Sequence, residues 1–599
     1  MRILFASGKG GAGKTTVTAG IAAFWPNPAV LADADVEAPD LGLYLPHAFA
    51  EETPVGLEVP VRVTDACDLC GECTSICQFN AIKKLGGRIM PFSDMCHGCG
   101  GCTAVCAPHA IVTGERELGR IGFGALEDGR IFLEGRSRVG EAMTPPLIRA
   151  LLRKASACAA REKADLLIDA PPGVSCPVMT AAASADAVVL VIDPTPFGVH
   201  DFKLALRASK VWASPWPLSS TEAASLPPPL VKRSSSPSAG KKACPSRPAC
   251  PLIARPPHAL PQDAIRCSTP RIGASACPKP LAPSAPFSRE AVMHEIVVLS
   301  GKGGAGKTSV TAALARAMSA REKIVVCDYD VDAPDLHILL KPETEMRADF
   351  VSGHLAVFNS DNCIDCAQCL AFCRFDAIKQ AAPCEYPVIE QLCEGCAVCV
   401  KLCPELAFDF VPRHCGEYYR SRTRFGTMIH AELTPGAENS GRLILLLKQE
   451  AAKAAQADGA EIILSDGTPG IGCPVISSLS GAGLVCAVIE AGASGIADFK
   501  RLAELARRFR LPIAVIVNKA DLSAEATEAA MQAARDAGAE VLGTLPFTPV
   551  FTEAMSRGEA VGETPSELDG HFQNFADRLL ALVRGGRRSR IIPIKEKAS

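Results

Sequence analysis

Short runs of consecutive aliphatic and β-branched residues recur along the chain at 3–6, 30–32, 166–168 and 188–192, and again at 296–299, 324–326, 462–464 and 484–489. None alternates apolar with polar, so each suits a strand of a parallel sheet covered on both faces. Helical segments separate them, the alternation of a doubly wound α/β fold. The pattern is also written twice. The octapeptide Gly-Lys-Gly-Gly-Ala-Gly-Lys-Thr fills 8–15 and 301–308, an offset of 293; Cys67 and Cys363 are offset by 296, and Asp169 and Asp466, like Asp201 and Asp498, by 297. Two modules of near-constant register are expected.

The register fails over 211–292, which is rich in Ser, Pro and Ala, as at Pro227-Pro228-Pro229 and Ser234-Ser235-Ser236, and has no helical or strand period. One reading is a long, disordered linker. The other comes from the genetic code. Codons chosen for 210–222 encode, two bases further on, a strand close to the second module's 511–519. On that reading the segment is an out-of-frame translation of the first module's missing end, and Met293 is the start of an adjacent reading frame. The expected organisation is a C-terminally incomplete module at 1–60 with 111–210, a cysteine-rich insert at 61–110, the linker or out-of-frame segment at 211–292, a second module at 293–356 with 411–585, its insert at 357–410, and a tail at 586–599.

Composition narrows the function. A chain of 599 residues with 48% apolar content can bury several cores. Its 62 basic and 65 acidic residues nearly cancel, so nothing in the balance calls for a nucleic-acid partner. No run of 18 uncharged apolar residues occurs and no signal-peptide pattern follows Met1, so a cytoplasmic protein without a membrane partner is expected. In that compartment 27 cysteines point to metal ligation rather than disulfides.

Sixteen of them form four C-x2-C-x2-C-x3-C quartets: Cys67/Cys70/Cys73/Cys77, Cys96/Cys99/Cys102/Cys106, Cys363/Cys366/Cys369/Cys373 and Cys393/Cys396/Cys399/Cys403. With this spacing three cysteines wrap one cluster and the fourth serves its neighbour, so paired quartets interlock. Four 4Fe-4S clusters are expected, held by Cys67, Cys70, Cys73 with Cys106; by Cys96, Cys99, Cys102 with Cys77; by Cys363, Cys366, Cys369 with Cys403; and by Cys393, Cys396, Cys399 with Cys373. Zinc is the alternative, but zinc sites normally use two separated pairs.

Both octapeptides fit G-x-x-x-x-G-K-[ST] between a strand and a helix, the setting in which backbone N–H groups cradle phosphates. Gly8, Gly10, Gly11, Gly13 and Gly301, Gly303, Gly304, Gly306 shape the loops. Lys14 and Lys307 should reach the β and γ phosphates of ATP, and Thr15 and Thr308, followed by Thr16 and Ser309 in the binding set, should hold Mg2+. Asp169 and Asp466 end apolar strands where a magnesium-site carboxylate is expected.

The form K-G-G-x-G-K-T, with its extra Lys9 and Lys302, resembles the deviant P-loop of the MinD/ParA/Mrp and nitrogenase iron-protein superfamily. The resemblance implies that each extra lysine crosses a dimer interface to the other nucleotide, that Asp35 and Asp330 position water, and that Asn518 with Asp521 reads the base. The first module lacks that base-reading strand end. The whole arrangement is similar to superfamily members carrying an inserted ferredoxin. The fold expected is therefore α/β: two doubly wound parallel-sheet P-loop NTPase modules, each with an inserted α+β bacterial-type ferredoxin domain. Cys176 and Cys473, each seven residues beyond the strand-end aspartate, are similar in place to a cluster-bridging switch cysteine of the iron protein, or are small buried residues at a turn.

The function expected is ATP-gated, low-potential electron transfer to a redox protein partner, with the modules paired within one chain or in a homodimer. An iron–sulfur cluster assembly or carrier ATPase is the alternative. A positioning ATPase would call for an amphipathic membrane helix or a basic face, and the basic tail near Arg587 is short.

Overall fold

The computed structural model describes residues 1–141, 143–212, 293–437 and 439–585. Except for the last residues of the helix Pro196–Trp212, the linker or out-of-frame reading of 211–292 lies outside the described residues, as does the tail 586–599.

The first half contains β1 (Arg2–Ala6), β2 (Ala29–Asp33), β3 (His47–Val63), β4 (Ile82–Leu85), β5 (Arg88–Pro91), β6 (Ile111–Leu126), β7 (Ile131–Ser137), β8 (Asp165–Asp169) and β9 (Ala187–Leu190). Seven of these form one sheet in the order β3-β6-β7-β2-β8-β1-β9. The second half contains β10 (His294–Leu299), β11 (Ile324–Asp328), β12 (Glu343–Phe358), β13 (Phe408–Thr423), β14 (Gly426–Leu433), β15 (Ile462–Asp466), β16 (Leu484–Glu490), β17 (Ile513–Asn518) and β18 (Glu540–Thr544). Its nine-stranded sheet repeats the order, β12-β13-β14-β11-β15-β10-β16, and continues into β17 and β18. The aligned stretch of the first half falls within 213–292, outside the described residues.

The centre of each sheet is parallel, as the continuous apolar runs require. Along β10, Ile296 and Val298 pack against the helices Lys307–Ser319 and Asp569–Gly585, while Val297 and Leu299 face the helix Ala493–Arg508. Beneath β11 lies a buried polar group. Lys448 Nζ is 2.6 Å from Glu295 Oε2, and Glu295 Oε1 accepts hydrogen bonds from Tyr329 Oη at 2.7 Å and Ser465 Oγ at 2.9 Å.

One edge departs from the parallel expectation. β3 pairs antiparallel with β6, and β6 with β7; β12, β13 and β14 do the same. The chain must run out to a cysteine-rich segment and return, and a paired ribbon satisfies its backbone on both passes. The ribbon strands end at Val63 and Phe358 and resume at Ile111 and Phe408, so the cysteines sit at their tips. Between them the first segment holds the helices Glu72–Ile76 and Gly101–Ala104 and the β4–β5 hairpin; the second holds the helices Gln368–Phe372 and Val398–Leu402.

Candidate functional site

Each glycine loop follows the first strand of its half, β1 or β10, which has a parallel neighbour on both sides, and opens a helix. Gly11 and Gly13 have φ of 93° and 80°, and Gly304 and Gly306 have 86° and 88°, the left-handed conformation that a side chain disfavours. The helices then begin at Lys14 and Lys307. Lys14 Nζ lies 2.7 Å from Asp169 Oδ2, which also accepts from Thr15 Oγ1 at 2.8 Å; Asp169 Oδ1 accepts from Thr18 Oγ1 at 2.9 Å. The second half repeats this around Asp466: Lys307 at 2.8 Å, Thr308 at 2.8 Å and Thr311 at 2.8 Å. A lysine, a hydroxyl and a carboxylate thus converge beside a row of backbone N–H groups, a donor set suited to a phosphate with magnesium. Thr16 is exposed, its Oγ1 3.4 Å from Tyr44 Oη, and Ser309 is half-buried.

The two loops lie against each other. A Cβ built on Gly10 would stand 2.7 Å from the Gly303 Cα, and one on Gly303 would stand 2.5 Å from the Gly10 Cα. Gly8 and Gly301 are closed over by Asp201 and Asp498. Lys9 crosses to the second half: its Nζ is 2.5 Å from Asp335 Oδ2, 3.1 Å from Asp330 Oδ2 and donates to the Ala333 carbonyl at 2.9 Å. Burial works against its charge, yet Asp330, Asp335 and Asp201 together hold its pKa well above the ordinary value. Lys302 crosses the other way, to Asp40.

Asp35 is pushed up to about 6 by burial, against the pull of Lys14 and Lys302. Its neighbour Asp33 accepts from the backbone N–H of Asp35 at 3.1 Å and of Leu41 at 2.8 Å, which fixes the turn carrying Asp35 and Asp40; Asp328 does the same for Asp330 and Leu336. Glu37 is pushed up to about 7, first by burial and then by Asp35. Asn518 Nδ2 donates to the Ala305 carbonyl at 2.9 Å, tying the end of β17 to the second glycine loop, whereas Asp521 accepts from the Phe547 N–H.

Asp40, Asp335, Thr18 and Thr311 were not among the residues expected. The repeat held a signal for them: Asp40 and Asp335 share the 295-residue offset of Asp35 and Asp330, and Thr18 and Thr311 the 293 of the glycine loops.

At the ribbon tips the thiols converge. Cys67, Cys70, Cys73 and Cys106 line one solvent-open cavity of about 310 Å3; Cys77, Cys96, Cys99 and Cys102 line another of about 470 Å3; Cys363, Cys366, Cys369 and Cys403 line a third of about 330 Å3. In the fourth group Cys399 is pushed up to about 12 by burial and by the nearby Cys393 and Cys373. Burial and crowding likewise raise Cys73 to about 11, with Cys106, Cys67 and Cys70 as its neighbours. The residue after the second cysteine of every quartet is left-handed: Gly71, Gly100, Ala367 and Ala397. Backbone N–H groups donate to sulfur from Ala81 to Cys77, Ala110 to Cys106 and Ala407 to Cys403, each at 3.3 Å. Four converging sulfurs with N–H donors form a site that favours thiolates bound to a cation.

Cys176 and Cys473 each meet the other half. The Cys176 thiol lies 3.7 Å from the Gly436 carbonyl, and Cys473, raised to about 11 by burial, faces Glu37 and Glu141.

Residues 296–561 match the CobQ/CobB/MinD/ParA nucleotide binding domain. The chain is 32% identical over 228 residues to the uncharacterized protein MJ0578 of Methanocaldococcus jannaschii, a match covering 38% of this chain and 79% of that one. It is 26% identical over 237 residues to MJ0579 of the same organism, covering 39% and 82%. A 75-residue stretch, 12% of this chain and 24% of the other, is 40% identical to the cytosolic Fe-S cluster assembly factor NUBP1 homolog of Brugia malayi. Among solved structures, the cell division ATPase MinD of Pyrococcus furiosus aligns at 18% identity over 48% of this chain and 99% of its own, with a TM-score of 0.31, and the Cyanothece McdA(D38A)–ATP complex at 15% over 49% and 98%, with a TM-score of 0.32. None of the described helices is long and apolar enough to cross a membrane. The chain belongs to the CobQ/CobB/MinD/ParA nucleotide-binding family, through the P-loop domain that fills one half of it.

Proposed function

We propose that this is a cytoplasmic, ATP-hydrolysing iron–sulfur protein in which two P-loop modules, each with a bacterial-type ferredoxin insert, couple nucleotide state to low-potential electron transfer toward a redox protein partner. One observation carries the reading: thiol quartets drawn from both ends of each insert converge at the tip of a ribbon that starts just beyond the acidic turn met by the opposite half's lysine. Bound 4Fe-4S clusters would supply one-electron transfer, their potentials tuned by the N–H donors and burial around the sulfurs. The sixteen quartet cysteines would hold them in the interlocked sets.

The remaining chemistry belongs to the chain. Lys14 and Lys307 exchange Asp169 and Asp466 for phosphate oxygens, with Thr15 and Thr308 on magnesium. Lys9 and Lys302 leave Asp335 and Asp40 for the phosphate held by the other half, so the modules act as a pseudo-dimer. Asp35 and Asp330 hold the attacking water, and Asn518 with Asp521 receives the base at the second site. Release of the crossing lysines frees the turns 33–40 and 328–335, and with them the bases of the ribbons.

Anaerobic iron counting and a redox titration with and without ATP test this. About sixteen iron atoms per chain, from four four-iron clusters, and a midpoint potential that moves with nucleotide are expected; two or fewer iron atoms would remove the reading. The short match to an Fe-S cluster assembly factor favours a second one, in which the clusters are cargo. It requires efficient transfer of iron to an apo-ferredoxin and a potential indifferent to ATP.

A further inference from the structure

The two cysteine-rich segments touch, and they do so through one quartet from each. Arg374, directly after Cys373, donates from Nη1 to Glu58 at 2.9 Å and to the Gly98 carbonyl at 3.2 Å. His97, directly after Cys96, stacks on Phe79 with ring centroids 3.9 Å apart, and its Nδ1 lies 3.2 Å from a carboxylate oxygen of Glu394, directly after Cys393. A Cβ on Gly101 would stand 2.9 Å from Val398 Cγ2. At the centre of these contacts the thiols of Cys99 and Cys396 lie next to each other. The other two quartets face outward, with Cys70 and Cys366 exposed.

The facing quartets share a second feature. Arg116 Nη2 donates to the Cys96 carbonyl at 3.2 Å, and Arg413 Nη1 to the Cys393 carbonyl at 3.2 Å; both guanidinium groups are buried. These arginines are related by the 297-residue offset of the repeat. Each arginine is also ion-paired, Arg116 with Glu141 at 3.3 Å and Arg413 with Glu390 at 3.8 Å, so what the two facing quartets share is a guanidinium that fixes the backbone of a quartet cysteine.

Building on the reading that the quartets hold clusters, we propose that Cys99 and Cys396 form an electron junction between the halves of the chain, so that the quartets make one path: outer, inner, inner, outer. With clusters held by the two inner quartets, the junction would let one electron move from the reduced one to the oxidised one. No bond forms or breaks, no proton moves, and the charge of the pair is conserved. Arg374, His97 and Glu394 act as a clasp that keeps the two sulfurs together.

The test starts from Cys70→Ser with Cys366→Ser, which removes one ligand from each outer quartet. Iron should halve, and after dithionite reduction the electron paramagnetic resonance spectrum should show two mutually broadened spins. Adding Arg374→Glu, which sets a carboxylate against Glu58, should return two sharp, independent signals. Half the iron with independent signals before that change would overturn the junction and leave the cluster reading intact; absence of iron from the unmodified protein would remove both. A second measurement does not depend on those variants. Mild oxidation of cluster-free full-length protein, followed by peptide mapping, should yield a Cys99–Cys396 disulfide as the main link between the segments, and its absence among the inter-segment links would overturn the junction.

Discussion

A single methyl group at Gly10 tests whether the two halves work face to face. Gly10 lies outside the left-handed region, so its backbone accepts alanine. The new Cβ would nevertheless stand 2.7 Å from Gly303 Cα and 3.0 Å from Gly303 N, both backbone atoms of the opposing loop. Ordinary contact needs roughly 3.5–4 Å, so the loops must part by about 1 Å. Overpacking of this kind costs about 1–3 kcal/mol, which lowers the population of the closed arrangement by about five-fold to more than a hundred-fold. Lys9, in the same loop, is then held back from the phosphate of the other half. ATP turnover should fall by at least that lower factor, while binding of a fluorescent ATP analogue to each separate loop stays within about two-fold. Gly303→Ala should act alike, and the double variant should lose little more, because the loops are already apart. Gly20→Ala, with open space around its Cβ, is the control and should leave turnover unchanged. Wild-type turnover in both Gly10→Ala and Gly303→Ala would refute the argument that apposition of the loops is the working state.

Two further expectations concern buried charge. Lys448→Met leaves Glu295 buried without its cation and should destabilise the second half by about 3–5 kcal/mol; calorimetry showing no lowered transition would contradict this. Glu37, about 7 in the folded chain against an ordinary 4.5, keeps an extra proton when folded between those values, so its contribution to stability declines as pH rises through that window. Glu37→Gln should flatten the fall in melting temperature between about pH 4.5 and 7, and an unchanged slope would show that another group sets it.

The centres of the sheets were legible because β1, β2, β8 and their counterparts are covered on both faces, and double coverage writes itself as unbroken apolar runs. The edge ribbons were not. β3 is only partly buried on either face and carries Pro54, Gly56 and Pro60, so its text resembles a loop; its order comes from pairing with β6. The glycine loops were legible because positive φ restricts which residues can stand there. Asp40 and Asp335 were hidden for a different reason. Each is one of several aspartates in an acidic turn, and only the approach of the opposite lysine distinguishes it. The convergence of Cys106 on Cys67, Cys70 and Cys73 was written in the spacing, whereas the meeting of Cys99 with Cys396 depends on how two distant ribbons lean together.

Those ribbons also behave as levers. Beyond the last pairing with β7, β3 and β6 run on together for about eight residues, roughly 27 Å at strand rise. A 5° tilt at the root, the scale of a small hinge adjustment, swings the far end by about 2–3 Å. That is the difference between two sulfur atoms in contact and two with a gap between them, so a motion barely visible at the root would decide whether Cys99 and Cys396 still meet at the tip.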